Sequence, residues 1–94
     1  MALFFLVRVE MHGAVPGDYE DLHERFAASD FVRYIVSGQN RRYQLPSGEY
    51  ANRAASTSQA VLERARAIVA VVWPDSEILV SEVTSWWSAG LRPI

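Results

Sequence analysis

Arg8, Glu10 and His12 stand two residues apart in an otherwise apolar stretch, Leu3-Phe4-Phe5-Leu6-Val7-Arg8-Val9-Glu10-Met11-His12. Side chains alternate along an extended strand, so the three point the same way, each within roughly 7 Å of the next. Imidazole can move a proton near neutral pH, a carboxylate can orient it or bind a metal, and a guanidinium can stabilise a phosphorane or a scissile phosphate. Such a set could cleave RNA, with Glu10, His12 and Arg8 as its catalytic residues. The same side chains also suit salt bridges to neighbouring strands or to a second subunit, with His12 merely beginning a loop. No metal-ligand set is assigned and no cofactor is called for, although Glu10 could take a divalent metal.

The strand that carries these groups has a second face. Leu3, Phe5, Val7, Val9 and Met11 alternate with them and form a wholly apolar side for a core. Phe4 and Leu6 precede Arg8 on the polar side, and burying such side chains is worth about 1.5 to 3 kcal/mol each. Something should cover them. A second copy packing sheet to sheet is the simplest cover, the tail with Trp86 and Trp87 folding back is another, and a different protein is the third.

Further elements must hold this strand in place. His12-Gly13-Ala14-Val15-Pro16-Gly17 is a loop, and Asp18 as N-cap opens a helix with Tyr19, Leu22 and Phe26 on one face and Glu20, Asp21 and Glu24 on the other. Within that helix His23 reads as a boundary residue and not as a ligand. Phe31 to Ser37 is rich in β-branched and aromatic residues, Gly38-Gln39-Asn40 turns the chain, and Arg41 to Leu45 is extended again. After Pro46-Ser47-Gly48, either one bulged strand continues to Arg53 or a short extra hairpin gives way to the true third strand, which is the preferred reading. Ser56 and Gln59 form a capping box for a second helix, whose buried stripe is Val61, Leu62, Ala65, Ile68, Val69 and Val72 and which Trp73-Pro74-Asp75 ends. Ser76 to Val83 is the last strand.

The order strand, helix, strand, strand, helix, strand predicts an α+β fold, a ferredoxin-like βαββαβ two-layer sandwich with an antiparallel sheet and two helices on one face. The domain spans residues 1–85 and a C-terminal tail follows over 86–94. Alternation places Arg33 beside the open face of the sheet, where Arg41 and Arg42 could extend a positive patch and Tyr34 and Tyr43 could stack on bases. Arg33, Arg41, Arg42 and Tyr43 are therefore the candidate RNA-binding residues. A nuclease predicts that Arg8, Glu10 and His12 converge in an open groove lined by Arg33 or Arg42. An inhibitory binding protein predicts a face closed by a dimer and an exposed acidic or tryptophan-bearing surface.

Composition sets the outer bounds. At 94 residues, half of them hydrophobic, the chain has room for one core, and its composition argues against a disordered tail or an acidic solvating segment. It has no cysteine, which excludes disulfides, thiol catalysis and cysteine-ligated zinc. The apolar start lacks a basic leader, and no apolar run approaches the ~20 residues of a membrane span, so a cytoplasmic protein is expected. All nine bases are arginine against eleven acids, and a net charge of −2 argues against broad, charge-driven nucleic-acid binding.

The pattern Phe5-Leu6-Val7-Arg8-Val9-Glu10, with Leu22-His23-Glu24-Arg25-Phe26, Tyr43-Gln44-Leu45-Pro46, Ser56-Thr57-Ser58-Gln59-Ala60 and Ile78-Leu79-Val80-Ser81-Glu82-Val83, resembles the GhoS family of small antitoxin endoribonucleases. That family resembles in turn the small ferredoxin-like nuclease subunit of CRISPR adaptation. The resemblance implies a ferredoxin-like fold and sequence-preferring cleavage of single-stranded messenger RNA encoding a membrane-lytic toxin. Single-stranded RNA, a second copy of the chain in a homodimer and a protein partner are the expected partners. Glu10 stands where the CRISPR nucleases carry an acidic residue, at the end of the first strand. The competing class is a non-enzymatic binding module, such as a small phage or mobile-element inhibitor.

Overall fold

A computed structural model describes residues 3–53 and 56–94. The first two residues of the apolar start therefore lie outside the described residues. The elements run β1 (Phe4–Met11), α1 (Pro16–Ala27), β2 (Tyr34–Val36), β3 (Arg42–Gln44), β4 (Glu49–Asn52), α2 (Ser58–Val72) and β5 (Ser76–Val83). β1 is the centre of an antiparallel sheet ordered β4-β1-β5, and β2 and β3 form a separate hairpin. A single bridge between Val32 and Ala51 tethers the start of this hairpin segment to β4. The result is a small α+β protein compatible with the ferredoxin-like sandwich, and the extra hairpin ahead of the true third strand is present as expected.

Alternation along β1 builds two cores. Phe5, Val7, Val9 and Met11 pack against Leu22 and Phe26 of α1 and Val61, Ala65 and Val69 of α2. Phe26 stacks on Phe31 at 4.8 Å and meets Tyr50 edge-on at 4.4 Å, a pairing that adds to simple burial. On the other face Phe4 is buried with Ile35, Leu45 and Ala51, and Leu6, Tyr43, Trp86 and Leu91 pack around them.

That second cluster answers the question of what covers Phe4 and Leu6. The chain's own hairpin and tail do so, and no second copy is needed for the purpose. The tail is held by backbone bonds from Gln44 N–H to Arg92 O (2.8 Å) and from Ile94 N–H to Arg42 O (3.0 Å), so it runs along the edge of β3. Trp86 is half-buried, whereas Trp87 is 97% exposed and covers nothing.

Several local expectations are corrected. Leu3 precedes the strand and is 54% exposed, so it does not join the apolar face of β1. Helix α1 starts three residues earlier than expected: Val15, not Asp18, is the N-cap and Pro16 takes the first turn, where its missing N–H costs nothing. Asp18 sits inside that turn, and its carboxylate accepts from Val15 N–H at 3.0 Å. Thr57, not Ser56, caps α2, accepting from Ala60 N–H at 3.1 Å. Of Phe31 to Ser37 only Tyr34–Val36 is strand, since Val32 pairs with β4 and the chain then crosses to the hairpin. Among the described residues no helix is long and apolar enough to cross a membrane.

The tail's contribution can be measured. Trp86→Ala should destabilise the protein by about 1 to 3 kcal/mol in urea unfolding, the scale of a partly buried large-to-small change. Trp87→Ala should stay within about 0.5 kcal/mol of the parent, as an exposed site does.

Candidate functional site

Register decides which side chains meet on the uncovered half of the β1 face. Arg8 lies opposite Leu79 of β5 on one side and Glu49 of β4 on the other, and Glu10 lies opposite Glu77. Cross-strand partners share a face, so Arg8, Glu10, Glu77 and Leu79 form one exposed surface, with Glu49 half-buried at its edge. Arg8, Glu10 and Glu77 line a cleft of about 570 Å³ whose far side is made by Tyr19, Ser47 and Gly48.

The backbone under this cleft is completed without a strand. β4 stops opposite Arg8, which would leave the outward N–H groups of β1 unpaired beyond that point, and buried amides seldom stay so. Val9 N–H donates instead to Gly48 O at 2.8 Å, and Met11 N–H donates to the Tyr19 hydroxyl at 2.8 Å. Gly48 has φ +84, and a Cβ there would stand 2.7 Å from Val9 O, so only glycine permits this approach. The far side of the cleft is thus fixed to its floor.

His12 lies one residue past the end of β1, yet its backbone is held at both ends. Its N–H donates to Asp75 O at 3.0 Å, and its carbonyl accepts from the Trp73 indole N–H at 2.8 Å. The ring sits between two carboxylates, with Nε2 2.8 Å from Glu77 Oε2 and Nδ1 3.2 Å from Asp75 Oδ1. Both nitrogens donate in this arrangement, which is the hydrogen bonding of an imidazolium. The bonds to Glu77 and Asp75 accordingly raise the His12 pKa above its ordinary 6.5.

Glu10 makes no hydrogen bond or ion pair among the described residues, while Glu77 stands directly across from it. Arg8 approaches Glu49 only to 4.0 Å and is two-thirds exposed, so this pair holds little. Both groups are free to meet a ligand. Glu10, His12 and Glu77 each bring one ligand atom within 4.8 Å of the others, a carboxylate and imidazole set of the kind that divalent transition metals accept. An ion bound there would displace the proton that His12 shares with Glu77.

The arginines expected to line this groove are elsewhere. Val32 pairs with Ala51 and so takes the face of Leu6, which sends Arg33 to the opposite, helix-bearing side beside Tyr19 and His23. Arg42 stacks over the Tyr34 ring at 4.5 Å on the hairpin, and Arg41 is exposed next to it. Tyr43 is half-buried against the Phe4 cluster and its ring is engaged there. Asp75 and Glu77 escaped the sequence reading, although Glu77 is legible once β5 is laid antiparallel to β1 with Ile78 facing the core.

A second histidine is also built in. His23 Nδ1 lies 2.6 Å from the Tyr50 hydroxyl, and burial, reinforced by the Arg33 charge, lowers its pKa below 6.5. Burial likewise raises the Tyr50 pKa, so the phenol keeps its proton. No family model matches the sequence, and a search of curated proteins finds no match.

The two histidines should titrate in opposite directions from 6.5 when followed by NMR, His12 above and His23 below. Replacing Asp75 and Glu77 by Asn and Gln should return His12 toward 6.5 and leave His23 where it is. The stabilisation from His12 is complete below its unfolded value of 6.5 and is lost as pH rises through its raised folded value. That from His23 is present above 6.5 and is lost as pH falls from 6.5 toward its lowered folded value, because the unfolded state takes up the proton first.

Proposed function

We propose that the protein cleaves single-stranded RNA, in the manner of the GhoS-like antitoxin endoribonucleases that its sequence pattern resembles. The observation that supports this reading is the imidazole of His12, held between Asp75 and Glu77 and beside the carboxylate of Glu10, which has no partner among the described residues, with Arg8 on the same face. In RNA the 2′-hydroxyl is the nucleophile. Glu10 takes its proton as O2′ attacks phosphorus, and the P–O5′ bond breaks. His12 gives its proton to the departing O5′, which leaves a 2′,3′-cyclic phosphate and a 5′-hydroxyl. Arg8 stabilises the charge that gathers on the non-bridging oxygens of the phosphorane.

The acidic surroundings constrain the substrate. Glu49, Asp75 and Glu77 surround the site and oppose any rigid array of phosphates, so a flexible single strand that offers one phosphate at a time suits it better than a duplex. Affinity is then supplied away from the chemistry, by Arg41 and Arg42 on the hairpin, where Arg42, Arg53 and Tyr34 line a separate groove of about 450 Å³. The competing reading, a non-enzymatic protein-binding module, has one specific observation in its favour: Trp87 stands almost wholly in water near Leu3.

Incubating the purified protein with a pool of single-stranded RNAs in the presence of a chelator should yield fragments ending in 2′,3′-cyclic phosphate. Glu10→Gln and His12→Ala should each slow this by roughly 10²- to 10⁴-fold. A substrate with 2′-deoxy residues should resist. Cleavage that needs added divalent ion, or that leaves 5′-phosphate ends, would transfer the chemistry to a metal held by Glu10, His12 and Glu77. An inactive parent protein would leave the binding-module reading.

A further inference from the structure

Arg33 is the one guanidinium whose Nε is buried without a hydrogen-bond partner among the described residues, and no carboxylate among them forms an ion pair with it. Its backbone is not free to relieve this. Val32 on one side is bonded in both directions to Ala51, and Arg33 O itself accepts from Leu45 N–H at 2.7 Å. Arg33 as a whole is half-buried, and this edge of its guanidinium lacks the hydrogen-bond partner that buried polar atoms ordinarily have.

It lines a pocket of about 390 Å³ between α1 and the β3–β4 turn, within the size range of small-ligand sites. The other polar groups on that wall are His23, Ser47, Tyr19 and, on the rim, Glu20. Tyr50 fixes the His23 ring through Nδ1, which leaves Nε2 as the nitrogen without a partner among the described residues. A guanidinium fork, an imidazole nitrogen and a serine hydroxyl around one cavity are the donor set of a tetrahedral oxyanion.

We propose that Arg33, His23 and Ser47 form a phosphate-binding pocket, separate from the Arg8, Glu10 and His12 cluster. Tyr19 and Ser47 line both this pocket and the cleft beside Glu10, so they form a common rim between the two. A chain of phosphates crossing that rim would place one phosphate at Arg33 while another faced Arg8. Only this last assignment of the phosphate's source rests on the ribonuclease reading; the pocket itself does not.

NMR titration of isotope-labelled protein with inorganic phosphate, against sodium chloride at matched ionic strength, tests it. The side-chain resonances of His23 and the amides of Tyr19 and Ser47 should shift saturably with phosphate and not with chloride. Arg33→Gln should weaken binding at least about tenfold, the loss of a charge-assisted fork. Arg33→Lys keeps the charge without the fork, protects the fold, and should fall between the two. Glu20→Gln should tighten binding by removing the opposing charge; weaker binding in that variant would show Glu20 to be part of the fold's own answer to Arg33 and would overturn the proposal. So would the absence of a phosphate-specific shift, or shifts that survive both Arg33 substitutions. A short uncleavable oligoribonucleotide distinguishes the source: if it moves these resonances together with those of Arg8 and Glu10, the phosphate is the substrate's, and if only inorganic phosphate moves them, the pocket serves a free phosphate. Either result stands whether or not the protein cleaves RNA.

Discussion

The whole arrangement depends on the eight-residue antiparallel pairing of β1 with β5, which runs without interruption from Phe4 against Val83 to Met11 against Ser76. Because β1 is central, its odd residues are committed to the helix-bearing core along the full length. Its even residues are divided. Phe4 and Leu6 require cover, and the hairpin and tail supply it; Arg8 and Glu10 cannot be covered without stranding their charges, so the lid must stop between Leu6 and Arg8. The place of the candidate site follows from this boundary and needs no further device.

Beyond Arg8 the sheet loses β4, and β1 is met there by a turn and a side chain in place of a strand. The Tyr19 hydroxyl and the Gly48 carbonyl take over the hydrogen bonds a strand would have made, and thereby tie α1 and the β3–β4 turn to the floor of the cleft. On the other side two glutamates face each other across the sheet, an arrangement that repels. The His12 ring lies against one of them, with Nε2 2.8 Å from Glu77 Oε2.

Much of this was legible in the chain itself. The two faces of β1, the apolar stripe of α2, its stop at Trp73-Pro74 and the span of β5 are all strong periodic or punctuating signals, and each lies where the sequence places it. What escaped was register. Val32 pairs with Ala51, a one-residue difference from the expected alternation, and in a strand one residue moves a side chain to the opposite face. Arg33 consequently points to α1 and not to the catalytic candidates. Asp75 and Glu77 were missed for a related reason: their closeness to His12 is a product of long-range pairing, and nothing in their local sequence marks them. The cap shifts at Val15 and Thr57 are smaller matters, since neighbouring polar residues compete for the same role at a helix start.

The indole of Trp73 donates to the carbonyl of His12, while Trp86 lies half-covered in the tail cluster and Trp87 stands in water. The three tryptophans thus occupy three unlike surroundings: the backbone of the candidate proton donor, the lid over Phe4, and bulk solvent. Indole emission responds to polarity, hydrogen bonding and nearby protonated imidazole. The molecule therefore carries an optical label at the residue on which its chemistry would turn, together with a second on its lid and a solvent-exposed internal reference.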